Sequence, residues 1–565
     1  MLKSILLACL CSLLLPVVLH AQSPEVVRSK PFDEPEDGAS RLLLMKNGNT
    51  LFFHFTRKKG VEVVAYNNKH QDAPLERNRV KSWRQKRMRY AALKGLFEMN
   101  GQAVVFLMQY TAKKPLLYRF IFDGNTGKLV KEEVIGELPR VGLGISYGMA
   151  FGSVPKPDFY VRKDPESEFY AVAAFNSMAH DRNERIKITH YSPDHKKLNE
   201  AFYESPKGTY KYLEFMEMYV HRDEFVFVSS FAYNTRSSGG KDSRVMISRL
   251  TKGTKEFEYK LLDYTDDYMK PDVALKYKPV NKTLYMLAAV NAKNVKKPYT
   301  MYTSRENLVL QMNVIDPFGL TVKNKYFIDH PALSDYAQDH LKYRKPYYGV
   351  VQDFRLNADS TITVMYEELD AEIRHSTSTS YTNGQASTSH QTTVTTTLGD
   401  IGVVRINEAG KEMPGSYAIA KSQITNTWLD LYYIYRRPQT SWTFRKGALN
   451  SGNYNAGFLS YDYMFANNTG YAIFNDYPRN TEDATENYRK KKGKLKISTA
   501  NTVLAYHDGN TVKKNYLFGA PESKDVSRFS VLEMNTHSED PKSYATLMIE
   551  RHGRKKKAYI VWITF

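Results

Sequence analysis

Gly144-Ile145-Ser146-Tyr147-Gly148 has the G-x-S-x-G spacing of a nucleophile elbow, with Ser146 as the attacking hydroxyl. That chemistry needs a strand-to-helix turn lifting the serine above a parallel sheet. Here Pro155 and Pro157 follow and no helical periodicity appears, so the segment reads as a glycine-rich strand near a crowded axis. Metal chemistry is equally incomplete. Asp329, His330, Asp335, Asp339 and His340 lie close together without the paired histidines and intervening glutamate of a zinc helix. Asp263, Asp266, Asp267 and Asp272 lack the central glycine of a calcium loop. Both stretches read as polar connecting loops.

Paired carboxylates were sought because ring-shaped glycosidases gather acids at their axis. Glu367 and Glu368 end one strand and Asp476 ends another, but adjacent strand residues point to opposite faces. The sialidase box S-x-D-x-G-x-x-W is absent. Asp123-Gly124-Asn125-Thr126-Gly127-Lys128-Leu129 resembles part of a quinone-dehydrogenase motif without its closing tryptophan. The expectation is no catalytic residue, no metal and no cofactor.

Binding chemistry is better represented. Residues 424–457 carry Trp428, Tyr432, Tyr433, Tyr435 and Trp442 among Arg436 and Arg437. Aromatic faces beside guanidinium groups suit sugars bearing carboxylate or sulfate. These residues are the candidate binding site, on a segment expected to project as a loop. The ordinary alternative is an aromatic core segment, because the chain holds 41 Tyr and 28 Phe.

The elements that must position such residues are strands. Apolar residues alternate with period two between turn signals. One hairpin phrase recurs: FIFDGNTGKLVKEEV (120–134), then versions at 188–202, 312–327, 403–419 and 504–518. Each is preceded by another strand pair, so the unit is a four-stranded antiparallel meander. The turn between its first two strands recurs near Asn47, Asn100, Pro165, Arg222, Asn281, Asn357, Asn467 and Glu539. A meander with two apolar faces cannot fold alone, and radial stacking gives an all-β β-propeller. Eight blades are expected, with seven blades or stacked β-sandwiches as alternatives. The eighth unit lacks its outer strand, which an early segment such as Glu25–Ser29 would supply. Two insertions interrupt the rhythm: 424–457, and 376–397 with 14 Ser or Thr in 22 positions. The second is expected to be a mobile loop or an extended hairpin arm.

Residues 1–21 read as a signal peptide: Lys3, an apolar run Ile5–Leu19, then Leu19-His20-Ala21 before Gln22. Residues 22–565 are then a single propeller domain, in the periplasm, on the outer envelope surface or outside the cell. Cys9 and Cys11 are the only cysteines and both lie in that segment, so stability rests on packing rather than disulfides. Lys and Arg (80) exceed Asp and Glu (60), giving a net charge of +20. An exported basic protein meets acidic envelope proteins or anionic glycans sooner than nucleic acid. Neither a transmembrane span nor self-association is expected.

Residues 399–423 and 471–480 carry a family resemblance. Ile401, Val403, Gly410, Ile419, Lys421 and Gln423 fit D-I-x-V-x-x-I-x-x-x-G followed by I-x-K-x-Q. Phe474, Asn475, Asp476 and Asn480 fit F-N-D-x-x-x-N. In these motifs the chain resembles an uncharacterised family of exported, propeller-like proteins of Gram-negative bacteria. The aromatic that follows the glycine turn in that family is missing around Pro414–Ser416. The resemblance covers roughly 350–480 and implies export and a propeller, but no activity. Three function classes follow: a propeller binding an envelope protein or anionic glycan, a glycoside hydrolase or lyase at the axial pore, or a structural part of an envelope assembly.

Overall fold

A computed structural model describes residues 24–565 except 36, 57, 84–87, 89–90, 141–155, 205–208, 235–241, 263–270, 292–307, 383–384, 427–431, 437–441, 444, 447–460, 483–494, 496 and 538–541. The signal segment and Ser146 therefore lie outside the described residues. The rest forms eight four-stranded antiparallel blades in a ring, an eight-bladed β-propeller. Blades 1 to 7 are meanders in sequence order, as in blade 4: Tyr212–His221, Phe225–Tyr233, Ser243–Thr251 and Glu258–Leu262. The expected turns near Asn47, Asn100, Pro165, Arg222, Asn281, Asn357 and Asn467 are present, and the one near Glu539 lies outside the described residues. Asn100, Arg222 and Asn467 adopt positive φ (49°, 46° and 48°), as tight hairpin turns require.

Blade 8 closes the circle. Glu25–Arg28 pairs antiparallel with the strand Lys555–Thr564, Val26 opposite Ile563 and Val27 opposite Trp562. The early segment expected to complete the eighth unit therefore does so.

Stacking the blades explains why both faces of each strand are apolar. Eight separate hydrophobic clusters fill the eight seams between neighbouring blades. Along blade 4, Met218, Val226 and Val228 pack toward blade 3, while Tyr219, Phe225 and Phe227 pack toward blade 5. Period-two alternation thus sorts side chains between two seams instead of between core and water.

The tract 376–397 belongs to a hairpin arm. The middle strands of blade 6, Ile362–Thr382 and Gln385–Ile406, run far past the other strands of that blade. One expectation needs correction: Asp329–His340 is not simply a connecting loop. Helix α1 (Pro331–Leu341) forms there, with proline in its first turn. The Glu412 carboxylate accepts the amide hydrogens of Ala332 (2.6 Å) and Leu333 (3.0 Å). Leu333 and Ala337 bury against the seam between blades 5 and 6. Among the described residues no cluster of His, Asp or Glu could hold a metal ion. None of the described helices is long and apolar enough to cross a membrane.

Candidate functional site

The first strand of each blade lies innermost, around the axis. The inner strands of blades 2, 4 and 6 (Ala92–Met99, Tyr212–His221, Gly349–Leu356) each carry a bulge, leaving Lys94, Met216 and Gln352 without cross-strand partners. Bulges re-aim neighbouring side chains. In blade 8 the inner strand is interrupted more widely, between Val526–Ser530 and Thr536–His537.

Charged residues punctuate these inner strands, and several pair across a seam. Arg162 of blade 3 grips Glu217 of blade 4 through Nε (2.6 Å) and Nη2 (3.3 Å), and Glu217 is wholly buried. Lys94 of blade 2 lies 2.5 Å from Asp158 of blade 3. Burial pushes the Lys94 ammonium below its usual range, against the attraction of that carboxylate. Arg41 of blade 1 meets Glu533 of blade 8 at 2.8 Å. Lys276 of blade 5 meets Asp353 of blade 6 at 3.0 Å and also donates to the Phe354 carbonyl. Asp462 of blade 7 accepts from Asn535 Nδ2 at 2.8 Å, with His537 Nε2 at 3.4 Å. The inner ring is thus laced by charge pairs between adjacent blades.

Of the segment 424–457 the structure describes Ile424–Asn426, which pairs with Thr396–Leu398 of blade 6, and Tyr432–Arg436, Trp442–Thr443 and Arg445–Lys446, which adjoin the inner ring. Tyr432 donates its amide to the Val351 carbonyl (2.7 Å) and is fully buried with the core of blades 5 and 6. Helix α2 (Tyr433–Arg436) follows. Tyr435 donates its hydroxyl to the Leu275 carbonyl at 2.7 Å, and Lys276 Nζ sits 5.1 Å from its ring centre. Farther on, Trp442 and Thr443 pair with Leu93 and Ala92, and Arg445 and Lys446 with Gly38 and Asp37. These are inner strands whose other edge is already occupied, so the added pairs lie on the axial side. An eight-bladed ring leaves room at its centre, and these described residues occupy part of it. Tyr432 cannot then stack on a sugar. Tyr433 and Arg436 lie in α2 and Trp442 in the pair with Leu93, while Trp428 and Arg437 fall outside the described residues.

Above Ile434 and Tyr435 a 510 Å³ cavity remains, walled by inner strands of blades 3 to 7 and by His537. Its walls include Lys163, Lys276, Arg355, Tyr277, Tyr463 and Phe465. Arg355 lies flat over Phe465, its guanidinium carbon 4.0 Å from the ring centre. Among the described residues it has no carboxylate within ion-pair distance. Burial pulls its pKa below the ordinary arginine value, against the pull of Tyr463 and Asp353. A half-buried guanidinium set over a ring, with Asp353 acting on it only from beyond ion-pair distance, can hold an anion. Sequence reasoning missed Arg355 and Phe465. The available signal was charge recurring inside the first strand of each unit, as Asp353 and Arg355 do in Gly349–Leu356.

The motif residues of the resemblance serve elsewhere, at the seam between blades 6 and 7. Lys421 Nζ lies 3.0 Å from Glu367 Oε1, both about 1% exposed. The Lys421 amide donates to Asp400 (3.1 Å), and Asn480 Nδ2 donates to Ser422 Oγ (2.7 Å) and Asp476 (2.9 Å). Asn475 reaches the Ser530 carbonyl of blade 8 at 3.0 Å. Desolvation raises the Glu367 carboxyl to about 7, opposed by Lys421. These groups tie blades together.

No family model matches the chain, and no curated protein matches it. Solved structures with a similar course include polysaccharide lyase Uly1, with TM-score 0.36 and 11% identity over 83% of this chain and 89% of that one. The phage phi92 endosialidase aligns with TM-score 0.33 and 8% identity over 90% of this chain and 72% of that one. Prolyl oligopeptidase B from Galerina marginata aligns with TM-score 0.35 and 7% identity over 94% of this chain. There the chain spans 56% of the other protein's length.

Proposed function

We propose that this propeller is a binding protein whose axial cavity takes an acidic saccharide. One observation carries the reading: Arg355, set over the Phe465 ring and, among the described residues, beyond ion-pair distance of any carboxylate, lines a 510 Å³ cavity. Phe465, Tyr277 and Tyr463 supply flat apolar faces for the ring, and Arg355 with Lys163 supplies charge for its carboxylate or sulfate. The acids that a hydrolase or lyase would use are engaged: Asp353 by Lys276, Asp462 by Asn535. We place the protein in the cell envelope, on the strength of residues 1–21, where acidic glycans are abundant. Amino-terminal sequencing of the exported chain would then begin at Gln22.

The test is calorimetric titration with a panel of uronic-acid and sulfated oligosaccharides. Replacing Arg355 by Ala is expected to weaken binding roughly tenfold or more, since a hydrogen bond to a charged group contributes about 1.5–3 kcal/mol. Arg355→Lys restores only part, because lysine keeps the charge without the fork. Binding left intact in Arg355→Ala and Phe465→Ala would move the site out of the cavity.

A further inference from the structure

A second cavity, of 200 Å³, lies at the seam of blades 5 and 6, beside helix α1. Exposed Asp329, Pro346 and Tyr348 stand at its mouth, and buried Tyr347, Tyr366 and Leu369 line its floor. The axial cavity has Lys163, Lys276 and Arg355 in its wall; this one, among the described residues, has neither lysine nor arginine. Two polar side chains of the wall are engaged within the fold. Ser334 Oγ accepts the Tyr347 amide hydrogen (3.2 Å), and Tyr347 donates its hydroxyl to the Asp400 carbonyl (2.7 Å).

Tyr366 is the exception. It is 1% exposed, yet its hydroxyl has no hydrogen-bond partner among the described residues. Nδ1 of His330, in the same wall, is shut off from water and also lacks one. The two rings meet edge to face with centres 5.0 Å apart, so these groups are neighbours. Native folds rarely leave such atoms unmatched, because the cost of desolvating them is not recovered. The charges acting on both are carboxylates, Glu412 and Asp329. Burial lowers the pKa of His330 against the pull of its own backbone and of those carboxylates. The imidazole is therefore neutral and keeps one acceptor nitrogen.

We propose that this cavity binds a small primary amine, its ammonium group held by Asp329 and Tyr366 and its apolar body packed against Leu310, Val351 and Leu369. Charge selects the class. An ammonium donates to a carboxylate, a phenol oxygen and a neutral imidazole. An anion would meet two carboxylates and, among the described residues, no lysine or arginine in the wall. Aromatic walls add to the attraction for an organic cation. Size sets the body: a cavity of about 150 Å³ takes benzene, so one ring or a short branched chain fits here. This site is separate from the axial cavity and takes the opposite charge.

Calorimetric titration of the purified chain at neutral pH with benzylamine and with benzyl alcohol, its uncharged counterpart of the same shape, tests this. The amine should bind roughly tenfold or more tightly than the alcohol. Tyr366→Phe and Asp329→Asn should each weaken amine binding roughly tenfold, whereas Arg355→Ala, in the axial cavity, should leave it unchanged. Because the Tyr366 hydroxyl has no partner in the free chain, Tyr366→Phe should not lower the unfolding temperature. A fall of several degrees would show the hydroxyl engaged within the fold and overturn the proposal. Equal affinity for amine and alcohol, or amine binding that survives both variants, overturns it as well. So does a wild type that binds neither compound at millimolar concentration, which leaves the cavity to water.

Discussion

Arg162 and Glu217 show what a charge costs in the inner ring. Glu217 has no access to water and Arg162 is its counterion across the seam. Removing one partner of a buried pair strands the other charge, typically at about 3–5 kcal/mol. Glu217→Ala should therefore lower unfolding stability by that order in urea titrations. The double replacement Arg162→Met/Glu217→Leu should cost less than either single change, because apolar residues of similar volume need no partner. A double variant as unstable as the sum of the two singles would contradict this. Glu367 gives a pH signature. Its folded carboxyl is raised to about 7 from an ordinary 4.5. The folded chain therefore holds this proton more tightly than the unfolded one, and stability falls as pH rises from about 4.5 to about 7. The full span is on the order of 3 kcal/mol. Chemical unfolding across that window should show the slope, and Glu367→Gln should flatten it. An unchanged slope would mean that Glu367 titrates normally.

At the scale of elements, each seam is its own core. Phe227 is fully buried between blades 4 and 5, so Phe227→Ala should cost about 3–5 kcal/mol. Calorimetry would measure it, and a loss below about 1 kcal/mol would show that the seam can collapse around the gap. Much of this level was legible in the sequence. Asn100, Arg222 and Asn467 announced their turns because hairpins need left-handed backbone there. The outer strand of blade 8 could be anticipated because its unit ran out of residues. Helix α1 was not legible: Pro331 marked its start, but Glu412, which caps it, lies some eighty residues away. The site was harder still. Tyr432 and Tyr435 were named as ligand platforms because an aromatic segment that fills a channel has the composition of one that faces water. Arg355 went unnoticed because its value depends on Phe465, a blade away.

The whole molecule depends on a joint between distant parts of the chain. Ile560 donates its amide to Ser29 Oγ across 531 residues, and Trp562 of the same strand donates to Thr50 at 2.8 Å. Deleting residues 24–28 would leave the edge Lys555–Thr564 open, and open edges recruit other chains. Light scattering during heating should then show aggregation at lower temperature than for the intact protein. Equal onset temperatures would show that the joint is dispensable.

During synthesis Glu25–Arg28 leaves the ribosome long before Lys555–Thr564 exists, so the first strand made is the last to find its seat. Until then seven blades can zip up one upon another, but no ring can shut around Tyr432–Arg436. Anything that delays the final strand holds the protein as an uncircled arc with its centre exposed. In that interval a chaperone or a protease would have its clearest access, and a ligand of the cavity would have nothing yet to bind.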